Sequence, residues 1–214
     1  MTQSAPARPA SDVLVLLPGA QMRPDDVARA GWPGLLRDAG LDLDLHVPDL
    51  HLDPAGQVDA LARLSRDHLA PLRARYGRLW LGGISLGGLL ALLQAQRDPA
   101  AIEGLCLVAP YPGSRLTTNA IRRAGGLDAW TPEGAQHDDV EFQLWLNLRQ
   151  GRPSLPAFVG YGRDDRFVDT MRPLAARLSG ATVHEVTGGH DWDAWRPLWT
   201  LCLDWLSTQG VRRR

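Results

Sequence analysis

Apolar positions along this chain fall into two alternating rhythms. Val13-Leu14-Val15-Leu16-Leu17 is an unbroken apolar run, as expected of a central parallel strand buried on both faces. It ends at Pro18-Gly19-Ala20-Gln21-Met22, where the chain turns. Residues 23–39 read as a helix interrupted around Gly31-Trp32-Pro33-Gly34 and closed by Gly40. Leu41 to Val47 alternates apolar and polar, as an exposed edge strand does, and Pro48-Asp49 stops it. Val58, Leu61, Leu64, Leu69 and Leu72 then form one helical stripe. Leu79 to Ile84 is the next strand, followed by a helix from Leu86 to Ala95 that is apolar nearly all round. Ile102–Ala109, Leu155–Tyr161 and Thr182–Val186 complete the strands, with a helix over Asp169–Leu178 between the last two. The closing helix, Asp191–Leu206, repeats Trp192, Trp195, Trp199, Cys202 and Trp205 at three- and four-residue intervals, a core-facing stripe.

Strand–helix alternation of this kind produces right-handed βαβ crossovers and a parallel sheet. The expected fold class is therefore α/β: a three-layer sandwich with a mainly parallel sheet of about six strands flanked by helices. A single domain over residues 11–210 suits the length, since domains run to roughly 100–200 residues. Met1 to Ala10 is polar with two prolines and reads as a flexible N-terminal segment. Residues 111–153 break the rhythm and exceed the ~12–15 residues of an ordinary loop. Within them Asp138 to Gln150 is a helix with a broad apolar face. We expect a small cap-like insert over the C-terminal edge of the sheet, with a plain extra helix packed on the sheet as the alternative.

Composition narrows the class of partner. A formal net charge of −1 gives no electrostatic reason to expect nucleic acid or an anionic membrane. No apolar run approaches the ~20 residues of a membrane span. Val13–Leu17 is also shorter than the apolar core of a signal peptide, so a cytoplasmic protein is expected. The two cysteines, Cys106 and Cys202, sit in apolar Leu-Cys-Leu runs and read as buried thiols. His46, Asp49, His51 and Asp53 lie close together, but their spacing matches no known zinc or calcium motif. A solvated loop is the expectation there, with neither metal nor cofactor.

The chemistry gathers where the third strand meets its helix. Gly82-Gly83-Ile84-Ser85-Leu86-Gly87-Gly88 contains Gly83-x-Ser85-x-Gly87, the spacing that puts a serine on a sharp strand-to-helix turn. Glycines two positions either side let neighbouring backbone approach without a Cβ clash. The phosphate-binding alternative is weak. No Lys-Ser or Lys-Thr follows the glycines, and no Gly-x-Gly-x-x-Gly runs through the stretch.

This stretch resembles the nucleophile elbow of α/β-hydrolase-fold serine hydrolases, in a small esterase-like branch. That resemblance implies a later acid and a still later histidine, each on the loop after a strand. Gly162-Arg163-Asp164-Asp165-Arg166-Phe167-Val168 is similar to the family's Gly-x-x-Asp-x-x-Val loop, with Asp165 as the acid and adjacent Asp164 as the alternative. Gly188-Gly189-His190-Asp191-Trp192 resembles the family's histidine loop. The family's opening antiparallel hairpin is missing, so the fold would be a compact version. Pro18-Gly19-Ala20 stands where the family carries His-Gly-x.

What the resemblance implies is a serine hydrolase that cleaves a carboxylic ester of a small or medium substrate through an acyl-enzyme. Ser85 would be the nucleophile, His190 the base and Asp165 its orienting acid. The oxyanion would be met by the backbone N–H groups of Leu86 and Ala20, with Gln21 the alternative to Ala20. Met22, Trp32, Tyr111, Trp130 and Trp145 come from loops or the insert and are candidates to line an apolar pocket. Thioesterase, lactonase and acyltransferase share the same triad. The rival from another class is a non-catalytic binding protein of the same fold.

Overall fold

The computed structural model describes residues 10–50, 57–132 and 139–214. The N-terminal segment expected to be flexible lies outside these but for Ala10, as do His51, Asp53 and the centre of the 111–153 insert. Strand β1 (Asp12–Leu17) leads to helices α1 (Pro24–Arg29) and α2 (Trp32–Asp38), then β2 (Leu43–His46). The interruption expected around residues 31–34 divides residues 23–39 into two helices, the break falling where Gly31 takes a left-handed φ of 80°. Helix α3 (Gln57–Arg63) passes through a π-helical stretch, Leu64–Leu69, into α4 (Ala70–Arg75). Next come β3 (Arg78–Ile84), α5 (Leu86–Arg97) and β4 (Leu105–Val108). The insert carries α6 (Arg115–Arg123) and α7 (Val140–Arg149). Strand β5 (Ala157–Gly162), α8 (Val168–Ala176), β6 (Thr182–Val186) and α9 (Trp192–Thr208) finish the chain.

The six strands form one sheet in the order β2-β1-β3-β4-β5-β6, every neighbour parallel. This matches the expected class, and the alternating Leu41–Val47 segment supplies an edge strand as its pattern requires. Side-chain direction alternates along β3 and sorts the helices. Trp80 meets Trp205 of α9 edge-on, with ring centroids 5.8 Å apart. A Cβ on Gly83 would instead run into Gly87 of α5. Helices α9 and α5 therefore cover opposite faces. The tryptophan stripe of α9 is core-facing: Trp199 is fully buried and stacks on Trp32 at 4.5 Å, also donating its indole N–H to the Trp32 carbonyl. Cys106 and Cys202 are both buried and free. Burial, reinforced by the neighbouring Cys106 sulfur, pushes the Cys202 thiol up.

The insert divides in two. Helix α7 packs on α5: Gln96 donates to the Leu144 and Arg152 carbonyls and accepts from Asn147. Helix α6, which the sequence pattern did not announce, starts at a Ser114 cap. The Glu141 carboxylate of α7 accepts from Ser114 N–H (2.6 Å) and from the Thr117 hydroxyl (3.1 Å), tying the two helices together. Beyond α6, Asp128 accepts two hydrogen bonds from Arg177 at the end of α8.

Candidate active site

Parallel strands deliver their C-terminal ends to one edge of the sheet, and β3, β5 and β6 each end there in a loop carrying a polar side chain. Ser85 follows β3 directly, with φ 52° and ψ −117°, a conformation that costs a non-glycine residue free energy. Its surroundings hold it: Ser85 N–H donates to the Val108 carbonyl, and the Ser85 carbonyl accepts from Gly88, Leu89 and Tyr111. The flanking glycines are obligatory in space. A Cβ on Gly83 would lie 2.2 Å from the Gly87 carbonyl, and one on Gly87 would lie 2.1 Å from the Leu17 carbonyl. Both distances are far inside van der Waals contact, so β3, α5 and β1 converge only because neither residue has a side chain.

His190 comes from the loop after β6. Its Nε2 lies 2.8 Å from Ser85 Oγ, and its Nδ1 lies 2.6 Å from Asp165 Oδ2. Asp165 is 2% exposed, and its second oxygen accepts from Phe167 N–H at 2.9 Å. The two aspartates left open by the sequence are separated by this geometry. Asp164 takes the Gly188 N–H through its carboxylate, while its own N–H donates to the Gly188 carbonyl. Asp164 therefore clamps the acid loop to the histidine loop, and Asp165 faces the imidazole. Gly162 permits the clamp, since a Cβ there would sit 2.1 Å from the Gly188 carbonyl. Asp191 caps α9 by accepting from Ala194 N–H.

Two residues missed by sequence reasoning enclose His190. The rings of Phe167 and Trp195 each meet its imidazole edge-on at 5.2 Å. The only signal available for them was position, two residues after Asp165 and five after His190.

No protein-family profile matches the chain. One curated relative is 2-succinyl-6-hydroxy-2,4-cyclohexadiene-1-carboxylate synthase of Enterobacter sp. (strain 638), 29% identical over 157 residues. The match covers 69% of this chain and 57% of that enzyme, so the chain spans little more than half of the relative's length. Among solved structures, Est1E from Butyrivibrio proteoclasticus superposes with a TM-score of 0.70 at 12% identity, over 96% of this chain and 90% of that one. FphF, a fluorophosphonate-binding serine hydrolase of Staphylococcus aureus, gives 0.65 at 14% identity, over 96% and 86%. The thioesterase domain from the curacin biosynthetic pathway gives 0.60 at 16% identity, over 92% of each chain. The chain has the α/β-hydrolase fold.

Within that fold, the remaining residues singled out by sequence fall into two groups. Met22 and Tyr111 adjoin Ser85. A Cβ on Gly19 would lie 3.4 Å from Met22 Cε and 3.6 Å from Ser85 Cβ, and Tyr111 N–H donates to the Ser85 carbonyl. Burial, and then the Glu141 charge, raise the Tyr111 phenol above its ordinary pKa. Trp32 and Trp130 are instead buried in the core, while Trp145 lines a cavity beside α6. Trp32 lies between Trp192 and Trp199, and Trp130 packs against Phe142 while its carbonyl accepts from Arg149. Trp145 is buried and donates to the Pro112 carbonyl at 2.8 Å. Ala20 and Gln21 occupy the turn closed by Met22 N–H to the Gly19 carbonyl, with Gln21 left-handed at φ 59°. Leu86 is the first residue of α5, where helix N–H groups have no partner within the helix.

Of the imagined metal cluster, His46 is within the described residues, and its Nε2 lies 3.1 Å from His68 Nδ1. Burial, and then the neighbouring His68, lower the His46 pKa. Among the described residues no group of three or more His, Cys, Asp and Glu side chains is arranged to hold a metal ion, and no helix is long and apolar enough to cross a membrane.

Proposed function

We propose that this protein is a serine hydrolase that cleaves a carboxylic ester of a small or medium substrate through an acyl-Ser85 intermediate. The observation that supports it most strongly is the unbroken chain Ser85 Oγ, His190 Nε2, His190 Nδ1, Asp165 Oδ2, at 2.8 and 2.6 Å. A serine hydroxyl is a weak nucleophile and needs an adjacent base held in the correct tautomer. Asp165, buried and acceptor-only when ionised, keeps the proton on Nδ1 and leaves Nε2 free to take the Ser85 proton.

In the proposed reaction Ser85 Oγ attacks the ester carbonyl as its proton passes to His190 Nε2. The oxyanion so formed is met by the N–H of Leu86, at the positive end of α5, and by that of Ala20. Collapse breaks the bond to the alcohol, which leaves with the His190 proton. Water then gives a proton to His190 and attacks the acyl carbonyl, releasing the acid and restoring the Ser85 hydroxyl. Asp165 offsets the imidazolium charge in both halves.

Hydrolysis of a p-nitrophenyl ester series tests this. The wild-type protein should release nitrophenol with a burst matching one acyl group per chain, and Ser85→Ala should show neither burst nor turnover. Wild-type protein inert to every ester offered, with its folded spectrum intact, would favour the non-catalytic binding protein.

A further inference from the structure

Between α6 and α8 lies a cavity of about 650 Å³ with a mostly apolar surface. Its walls are Thr118 and Ile121 of α6, Leu127 of the following turn, Trp145 of α7, and Thr170 and Pro173 of α8. Nothing in the steps above uses it. A cavity of this size and character is suited to a flexible apolar group.

Its walls are bonded directly to residues next to the candidate site. Thr170 donates both its N–H and its hydroxyl to the Phe167 carbonyl. Trp145 donates to the carbonyl of Pro112, the residue after Tyr111. The Phe167 and Tyr111 rings meet edge-on at 5.3 Å, and the other neighbour of Phe167 is His190. The Tyr111–Phe167 pair is thus linked to His190 through the Phe167 ring and to the cavity walls through Thr170 and Trp145. Arg166 covers the same ring from outside, its guanidinium 4.8 Å from the Phe167 centroid.

The cavity also has a direction. Asp169, Thr170, Pro173 and Arg177 line it along one side of α8, and eight residues at 1.5 Å each span about 12 Å. Arg177, at the C-terminal end of α8, has its charge met by both Asp128 oxygens. Arg122 and Asp169 line the cavity as well, and Arg122 donates to the Asn119 side-chain carbonyl.

We infer that this cavity is the acyl subsite, entered past the Tyr111–Phe167 pair, and that the preferred substrates are esters of extended apolar acids. The inference rests on the serine-hydrolase reading and adds the substrate class to it. The 111–153 insert then acts as a cap by supplying, through α6, one wall of the acyl chamber.

The test compares kcat/KM for p-nitrophenyl acetate, butyrate, hexanoate and octanoate. Each added methylene that enters the chamber should raise kcat/KM about fourfold. Ile121→Trp and Asn119→Trp each fill the chamber from α6. Each should lower the octanoate-to-acetate ratio by about tenfold or more. Calorimetric titration of Ser85→Ala with octanoate should show binding that the additional Ile121→Trp change removes.

A protein acylated at Ser85 whose ratio is flat in wild type and in both variants overturns the chamber while leaving the serine-hydrolase reading standing. A protein never acylated overturns that reading. Octanoate binding that survives Ile121→Trp and Asn119→Trp also overturns the chamber, whatever the state of the catalysis.

Discussion

The loops carrying Ser85, Asp165 and His190 and the insert over residues 111–153 are held together by opposite means. At the loops, backbone meets backbone. Gly83, Gly87 and Gly162 each stand where a Cβ would come within 2.2 Å of a neighbouring carbonyl, and the Asp164 N–H donates to the Gly188 carbonyl. In the insert, long side chains span the gaps: Glu141 to Ser114 and Thr117, Trp145 to Pro112, Arg177 to Asp128. The first arrangement tolerates almost no substitution and fixes atoms to tenths of an ångström. The second tolerates drift and leaves room, including a chamber of about 650 Å³. A catalytic geometry needs the former, and a wall that adapts to different acyl groups is better served by the latter.

The sharpest way to break this comparison is to remove a group that the loops hold. His190→Ala should lower kcat/KM for p-nitrophenyl esters by on the order of 10⁶-fold while the melting temperature changes little. Asp165→Asn should cost about 10⁴-fold by favouring the wrong imidazole tautomer. Asp164→Asn, one residue away, should stay within about tenfold, because it removes a loop clamp and no partner of His190. Equal losses for the two aspartates would contradict the assignment of Asp165.

Packing gives the next largest effect. Gly87→Ala drives a Cβ towards the Leu17 carbonyl, where only backbone is available to move. We expect a loss of about 3 kcal/mol or more, read as a denaturation midpoint that falls together with activity. Glu141→Ala in the insert leaves the Ser114 N–H and Thr117 hydroxyl without their acceptor. It should cost about 1–3 kcal/mol by denaturation, with p-nitrophenyl acetate turnover changed far less than in any loop variant. Loss of acetate turnover comparable to Asp165→Asn would show that the two regions are not separable.

The smallest effect lies away from both regions, at His46 against His68. A histidine whose folded pKa is lowered binds fewer protons than the unfolded chain near and below pH 6.5. Its stabilising contribution is therefore present above that pH and is lost as pH falls through the folded pKa. The melting temperature should drop between about pH 7.5 and 5.5, and His46→Gln should flatten that slope. An unaltered slope would place the pH dependence elsewhere.

The same contrast accounts for what could be read from sequence. The four inner strands were legible because a sheet covered on both faces demands unbroken apolar runs, as at Val13–Leu17 and Ala157–Gly162, and the edge strand within Leu41–Val47 because it alternates. The serine turn was legible because close backbone approach admits only glycine, and glycine leaves a mark. The choice between Asp164 and Asp165 was not, since adjacent identical residues differ only in where the loop aims them. Helix α6 was hidden for a related reason: its Leu116 is 77% exposed and its contacts run through Ser114, Thr117 and a distant Glu141. Trp32 opens α2 and Trp130 lies in the insert, and pattern alone could not say that they are buried against Trp199 and Phe142. Phe167 and Trp195 reach His190 only through the fold.

The central claim is that Ser85 is activated by His190 and Asp165, and a fluorophosphonate probe tests it most directly. Labelling followed by peptide mass spectrometry should find one adduct per chain, on Ser85, formed orders of magnitude more slowly in His190→Ala and absent in Ser85→Ala. An unlabelled wild-type protein, or a label carried by another residue and retained in Ser85→Ala, would contradict it.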